Sequence, residues 1–158
     1  MSILLLNKTV CPICHEAITD KDDYYSFPAF VINIKDPLYF FSDITCHLRC
    51  LNGNKMALVA RKYAELFIER VNPTCRKCIV TGDIISDPQN HIFIEYLTSD
   101  ESNYLHQFNF IHIDKRNLNQ WDKAKDFKNA LIALKKSGLW EEVANSNYLS
   151  RLIEVIST

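Results

Sequence analysis

Glycine is scarce, at three residues in 158. That argues against loops that cradle phosphates, and neither a Walker motif nor a dinucleotide fingerprint occurs. No charge sign dominates: 18 basic residues face 19 acidic ones, for a net charge of −1. A strongly basic chain would point to nucleic acid through phosphate neutralisation, and this balance does not, although it leaves room for a local basic patch. Long apolar runs are also missing. Ile3 to Leu6 is too short for a signal-peptide core or a membrane span and reads as a first strand. The expected setting is therefore a reducing, cytoplasmic one, without membrane association. No Ser-His-Asp arrangement or pair of catalytic carboxylates can be read. Apolar residues make up 47% of the chain, enough for a real core, and the length suits one domain or two small ones in close contact.

The six cysteines stand out because they are paired. Cys11 and Cys14 form one Cys-x-x-Cys, and Cys75 and Cys78 form another. Cys46 and Cys50 lie between, in Thr-Cys-His-Leu-Arg-Cys, where His47 and Cys50 make His-x-x-Cys. In a reducing compartment such pairs read as metal ligands rather than disulfides. Zinc takes four nitrogen or sulfur ligands in a tetrahedron. A Cys-x-x-Cys turn supplies two of them, so a second pair must come from elsewhere in the fold. His47 and Cys50 supply it well. Met56, Val59, Tyr63, Leu66 and Phe67 recur at helical spacing after them, and Asn72-Pro73 stops the run. Ligands three apart in a first helical turn lie on one face. Cys46 with Cys50, at a spacing of four, is the competing pair. His15 reads as an exposed turn residue.

The unit from Cys11 to about Arg70 resembles the treble-clef zinc fingers, and its Ile44-x-x-His47-x-x-Cys50 step is similar to that of LIM domains. The resemblance implies a Cys-x-x-Cys turn, a β-hairpin and a ligand pair at a helix start, with Zn2+ at the centre. It implies nothing specific about function.

The chain also reads as a repeat. Cys75 and Cys78 open a second half in which His91 to Leu97 alternates as a strand. A turn follows at Thr98 to Ser102, then a strand-like run from Tyr104 to Ile113. Leu118, Trp121, Ala124, Phe127, Leu131 and Leu134 recur at helical spacing, with Gly138 as a C-terminal cap. The expected architecture is α+β: treble-clef-like units at 1–72 and 73–158, the latter with a C-terminal helix. Matching the Cys-x-x-Cys pairs puts His112 one residue beyond the place of His47, and Lys115 at the place of Cys50. Lysine does not ligate zinc. Cys75, Cys78, His112 and Asp114 are then the candidate ligands of a second zinc. His91 or His106 in place of Asp114, or an empty site with two packed thiols, are the alternatives.

Between Cys14 and His47, Tyr24 to Ile34 and Leu38 to Phe41 read as short strands. Their aromatics Tyr24, Tyr25, Phe27, Phe30, Tyr39, Phe40 and Phe41 read as core. In the tail, Asn145-Ser146 reads as a break or cap, and Tyr148, Leu149, Leu152, Ile153 and Ile156 form an apolar face that docks on the chain's own core or, alternatively, on another subunit. Lys123, Lys125, Lys128, Lys135 and Lys136 make one helix basic, most simply a solvated face.

Three functions fit. The leading one is a non-enzymatic, zinc-stabilised module that recognises a protein partner. Compositional analogy to bacterial accessory proteins such as immunity proteins gives it one concrete form. The second is a metal-dependent nuclease of the His-Asn type, with His112 as general base beside Asp114, Asn117 and Asn119; the paired acidic-His step and the second helical His of that class are lacking. The third is a nucleic-acid-binding regulator using the basic helix.

Overall fold

Two short antiparallel hairpins organise the chain in the computed structural model, which describes residues 4–143 and 146–156. In the first, β1 (Tyr24–Ser26) pairs with β2 (Thr45–His47), placing Tyr24 opposite His47 and Tyr25 opposite Cys46. In the second, β3 (His91–Ile94) pairs with β4 (Ile111–Asp114), placing His91 opposite Asp114 and Phe93 opposite His112. Each hairpin feeds a helical turn and then a longer helix. After β2 come α1 (Leu48–Asn52) and α2 (Lys55–Val71). After β4 come a 3₁₀ turn at Lys115–Gln120 and α3 (Ala124–Lys136). A last helix, α4 (Tyr148–Val155), closes the fold.

Several features of the two halves recur at one constant offset. Tyr24 to His91 and His47 to Asp114 are both steps of 67 residues. The same step carries the 3₁₀ turn Pro37–Phe41 onto Tyr104–Phe108. It carries the left-handed residues His15 and Asp43 onto Gly82 and Phe110. It also carries the bridge between Val10 and Ala17 onto that between Lys77 and Ile84.

Local chemistry sets the helix limits. Asn54 accepts hydrogen bonds from the N–H groups of Met56 and Ala57, capping α2, and Asn72-Pro73 ends it. Ala57, Ala60 and Ala64 form its buried face, small enough for the helix to lie close against the aromatic core. Gly138, at φ +74°, takes the left-handed turn after α3 that a side chain would resist.

Several expectations change. Leu4 to Leu6 form no strand. The carbonyl of Leu5 accepts from Lys8 and Thr9 in a turn, and Leu5 and Leu6 are exposed; Ile3 lies outside the described residues. Leu38 to Phe41 and Tyr104 to Phe108 are 3₁₀ turns rather than strands. Their first turns are fixed by Asp36 and Asn103, whose side chains accept from the N–H groups of Leu38 and Leu105. The apolar alternation there serves burial of Leu38, Phe41, Leu105 and Phe108. The helix expected from Leu118 begins only at Ala124. Phe27, Phe30 and Phe41 are buried as expected, whereas Tyr24 and Phe40 are about half exposed. Asn145 lies outside the described residues.

Two packed cores result. Ile18, Phe27, Phe30, Leu38, Phe41 and Leu51 pack with α2 in the first. Ile94, Leu105, Phe108, Trp121, Phe127 and Leu131 pack with Leu149 and Leu152 of α4 in the second. Tyr96 and Phe110, from the second half, are built into the first core. Phe67 of α2 meets Phe110 with ring centroids 5.6 Å apart. The buried Asp36 carboxylate ties the halves together, accepting from the Tyr96 hydroxyl at 3.2 Å and the Ser99 N–H at 3.2 Å. Among the described residues, no helix is long and apolar enough to cross a membrane.

Candidate metal centre

The Cys11–Cys14 turn is a closed loop of backbone hydrogen bonds. Cys11 N–H donates to Glu16 O at 2.9 Å, and His15 N–H donates to Cys11 O at 2.8 Å. His15 takes a left-handed φ of +61° to allow it and is exposed. The turn thereby points both thiols inward. From the other side, His47 ends β2 as the residue before α1, and Cys50 sits within α1. Strand alternation turns Cys46 the opposite way, into the first core, where it is fully buried.

The structure therefore brings Cys11, Cys14, His47 and Cys50 together, their ligand atoms all within 4.8 Å of one another. His47 Nδ1 lies 3.3 Å from Cys14 Sγ and 3.9 Å from Cys50 Sγ. A tetrahedral zinc with ordinary bond lengths spaces sulfur and nitrogen ligands about 3.6 Å apart, so these separations match the edges of an occupied site. Nδ1 is the ring nitrogen that would face an ion held there. Nε2 is buried without a hydrogen-bond partner and points at Asp22 Oδ2, 3.6 Å away. Binding through Nδ1 fixes the proton on Nε2, where Asp22 stands to receive it, an arrangement common behind metal-bound imidazoles. Asp22 is itself held by the N–H and hydroxyl of Thr19 at 2.9 and 2.7 Å, which lower its pKa, and it pairs with Arg49 at 3.2 Å. Arg49 also reaches Glu16 at 2.8 Å. Asp22, Arg49 and Glu16 carry no spacing signal and are found only by the fold.

Burial works against the Cys11 thiolate, but the N–H groups of Cys14, His47 and Ile13 hold its pKa down to about 6. Burial first, then the neighbouring Cys14 and Cys11 sulfurs, push Cys50 up to about 12. A divalent ion bound to all three sulfurs would hold them deprotonated.

The second set of candidates does not converge. Among the described residues there is no other cluster of three or more such ligands. The Asp114 carboxylate is taken by the Arg116 side chain at 2.6 and 3.0 Å. His112 has both ring nitrogens engaged: Nε2 donates to Arg70 O at 3.0 Å, which leaves Nδ1 to accept from His91 Nε2 at 2.8 Å. Burial and the neighbouring His91 press the His112 pKa down to about 4. A buried, neutral ring with two satisfied nitrogens has none free for a metal or for a proton from a substrate. His106 meets the Tyr63 hydroxyl at 2.7 Å. Cys75 belongs to a 3₁₀ turn at Pro73–Cys75, ahead of the loop that matches the first Cys-x-x-Cys. In that loop Cys78 N–H donates to Asp83 O and Gly82 N–H to Cys78 O, both at 2.8 Å. The loop with the hydrogen bonding of the Cys11 loop thus opens at Cys78, not at Cys75.

A cavity of about 530 Å³ lies between β3 and α4, with His91, Glu95 and Arg151 but none of the clustered cysteines on its walls. Comparison of the chain with protein-family models, with characterised proteins and with solved structures finds no match, so the site is interpreted from its own geometry.

Proposed function

We propose that the chain is a non-enzymatic zinc-binding module of treble-clef type that recognises a protein partner. One observation carries this reading: three cysteines and one histidine close around a single point. A full set of four protein ligands leaves no coordination position for water or substrate, which is the pattern of structural rather than catalytic zinc. In this reading the ion fastens the Cys11 turn to the start of α1 and so supplies part of the folding free energy. The balanced charge favours protein over nucleic acid as partner. The His-Asn nuclease reading gains no support from a His112 buried between Arg70 and His91.

Elemental mass spectrometry on protein purified without added zinc or chelator tests the metal part; one zinc per chain is expected. A folded, metal-free protein with all six thiols titratable would overturn it. Titration with DNA and RNA at low salt tests the partner class, and binding that falls steeply with salt would replace the protein partner by nucleic acid.

A further inference from the structure

We infer that Cys78, Thr81, Asp114 and Asn117 occupy the four ligand positions of a second, retired metal centre, in which hydrogen bonds have replaced the ion. The inference rests on the reading that Cys11, Cys14, His47 and Cys50 hold zinc. Each of the four residues lies 67 positions after one of those ligands, the same step that superposes the hairpins in register. The backbone around them is also the same. Both loops close by matching hydrogen bonds, Cys11 to Glu16 in one and Cys78 to Asp83 in the other. Both turn through a left-handed residue, His15 or Gly82. Both sulfurs receive N–H groups from equivalent places: Cys14 and His47 on Cys11, Thr81 and Asp114 on Cys78.

The side chains differ, and of the replacements it is Asn117 that stands against the retained sulfur. Asn117 Nδ2 points at Cys78 Sγ from 3.8 Å, and Asp114 N–H donates to it at 3.4 Å. The Asp114 carboxylate turns to Arg116. In the first half Arg49, the equivalent of Arg116, reaches outward to Glu16 and Asp22. No buried side-chain atom of the second centre is left unpartnered, whereas the first leaves His47 Nε2 so. Cys78 is the one ligand retained, and the Cys75–Cys78 spacing is incidental to it. The second half thus holds no metal of its own.

The triple variant Thr81→Cys, Asp114→His, Asn117→Cys should bind one zinc ion more per chain than the unaltered protein, measured by elemental mass spectrometry after dialysis against a weak chelator. A variant that keeps the native tryptophan emission yet shows the unaltered metal content would overturn the inference. A metal-free unaltered protein would sink the first-centre reading, and the variant's gain over it would still decide this one. A second measurement needs no substitution. Elemental mass spectrometry of the unaltered full chain should find one metal ion, and two ions per chain would overturn the inference while leaving the first-centre reading intact.

Discussion

Two identical substitutions four residues apart should have opposite effects on metal. Cys50→Ser removes a ligand atom 3.9 Å from His47 Nδ1. Structural zinc in small domains contributes about 10–16 kcal/mol of apparent binding energy. An equal share for each of four ligands is roughly 3–4 kcal/mol, so zinc should bind about 100- to 1,000-fold more weakly. Cys46→Ser removes no ligand. It leaves a hydroxyl in a fully buried apolar site, where burial pushes the native thiol's pKa up to about 11. An unpaired hydroxyl there costs about 1–3 kcal/mol. For a chain of this length each kcal/mol lowers the thermal midpoint by about 2–4 °C. The assay is a competition titration against a chromophoric chelator, with thermal melts in the presence and absence of excess chelator. Cys46→Ser should keep zinc at native affinity and melt lower. Cys50→Ser should lose zinc and melt at the same temperature with or without chelator. Loss of zinc by Cys46→Ser with retention by Cys50→Ser would refute the assignment of His47 and Cys50 over Cys46.

Further outcomes follow from neighbouring groups. Asp22→Asn keeps an acceptor for Thr19 but withdraws the charge behind His47, and zinc affinity should fall about 10- to 100-fold in the same titration; unchanged affinity would exclude Asp22 from the centre. His112 is neutral in the fold, with its pKa lowered to about 4, whereas the unfolded ring titrates near 6.5. The unfolded state therefore binds more protons between those values, and stability should fall as pH drops through that window, by at most ~1.4 kcal/mol per pH unit from this residue. Urea melts at pH 7 and 5 of the native protein and of His112→Gln check it, since metal release is common to both and the difference isolates His112. Gly82→Ala should destabilise by about 1 kcal/mol, because φ is +77° there while nothing lies within 4 Å of the added methyl; an unchanged urea midpoint would mean that the loop relaxes at no cost.

Where chemistry is local, the sequence was enough. The Cys11-x-x-Cys14 and His47-x-x-Cys50 spacings follow from the geometry of a tight turn and a first helical turn, so this group of four could be read directly. The limits of α2 could be read too, because Asn54 and Asn72-Pro73 act on their own neighbours. Choosing His47 over Cys46 needed β2, since alternation along a strand decides which of two adjacent side chains faces the turn. Misreading Tyr104 to Phe108 as a strand has a similar cause: Asn103 caps a 3₁₀ turn through a hydrogen bond that an apolar pattern does not reveal.

The second half shows the limit most clearly. A visible Cys-x-x-Cys at Cys75 and Cys78 suggested one register, whereas the loop that shares the hydrogen bonding of the Cys11 loop opens at Cys78. By itself, then, the sequence determined an α+β chain carrying one group of four soft-metal ligands, since residue type and short spacing fix both. Only the tertiary structure decided that Asp22 stands behind His47, that His112 is a buried structural ring, and that Cys78 opens a loop bonded as the Cys11 loop is. Those facts depend on which distant segments the hydrophobic cores bring into contact, and no local pattern encodes them.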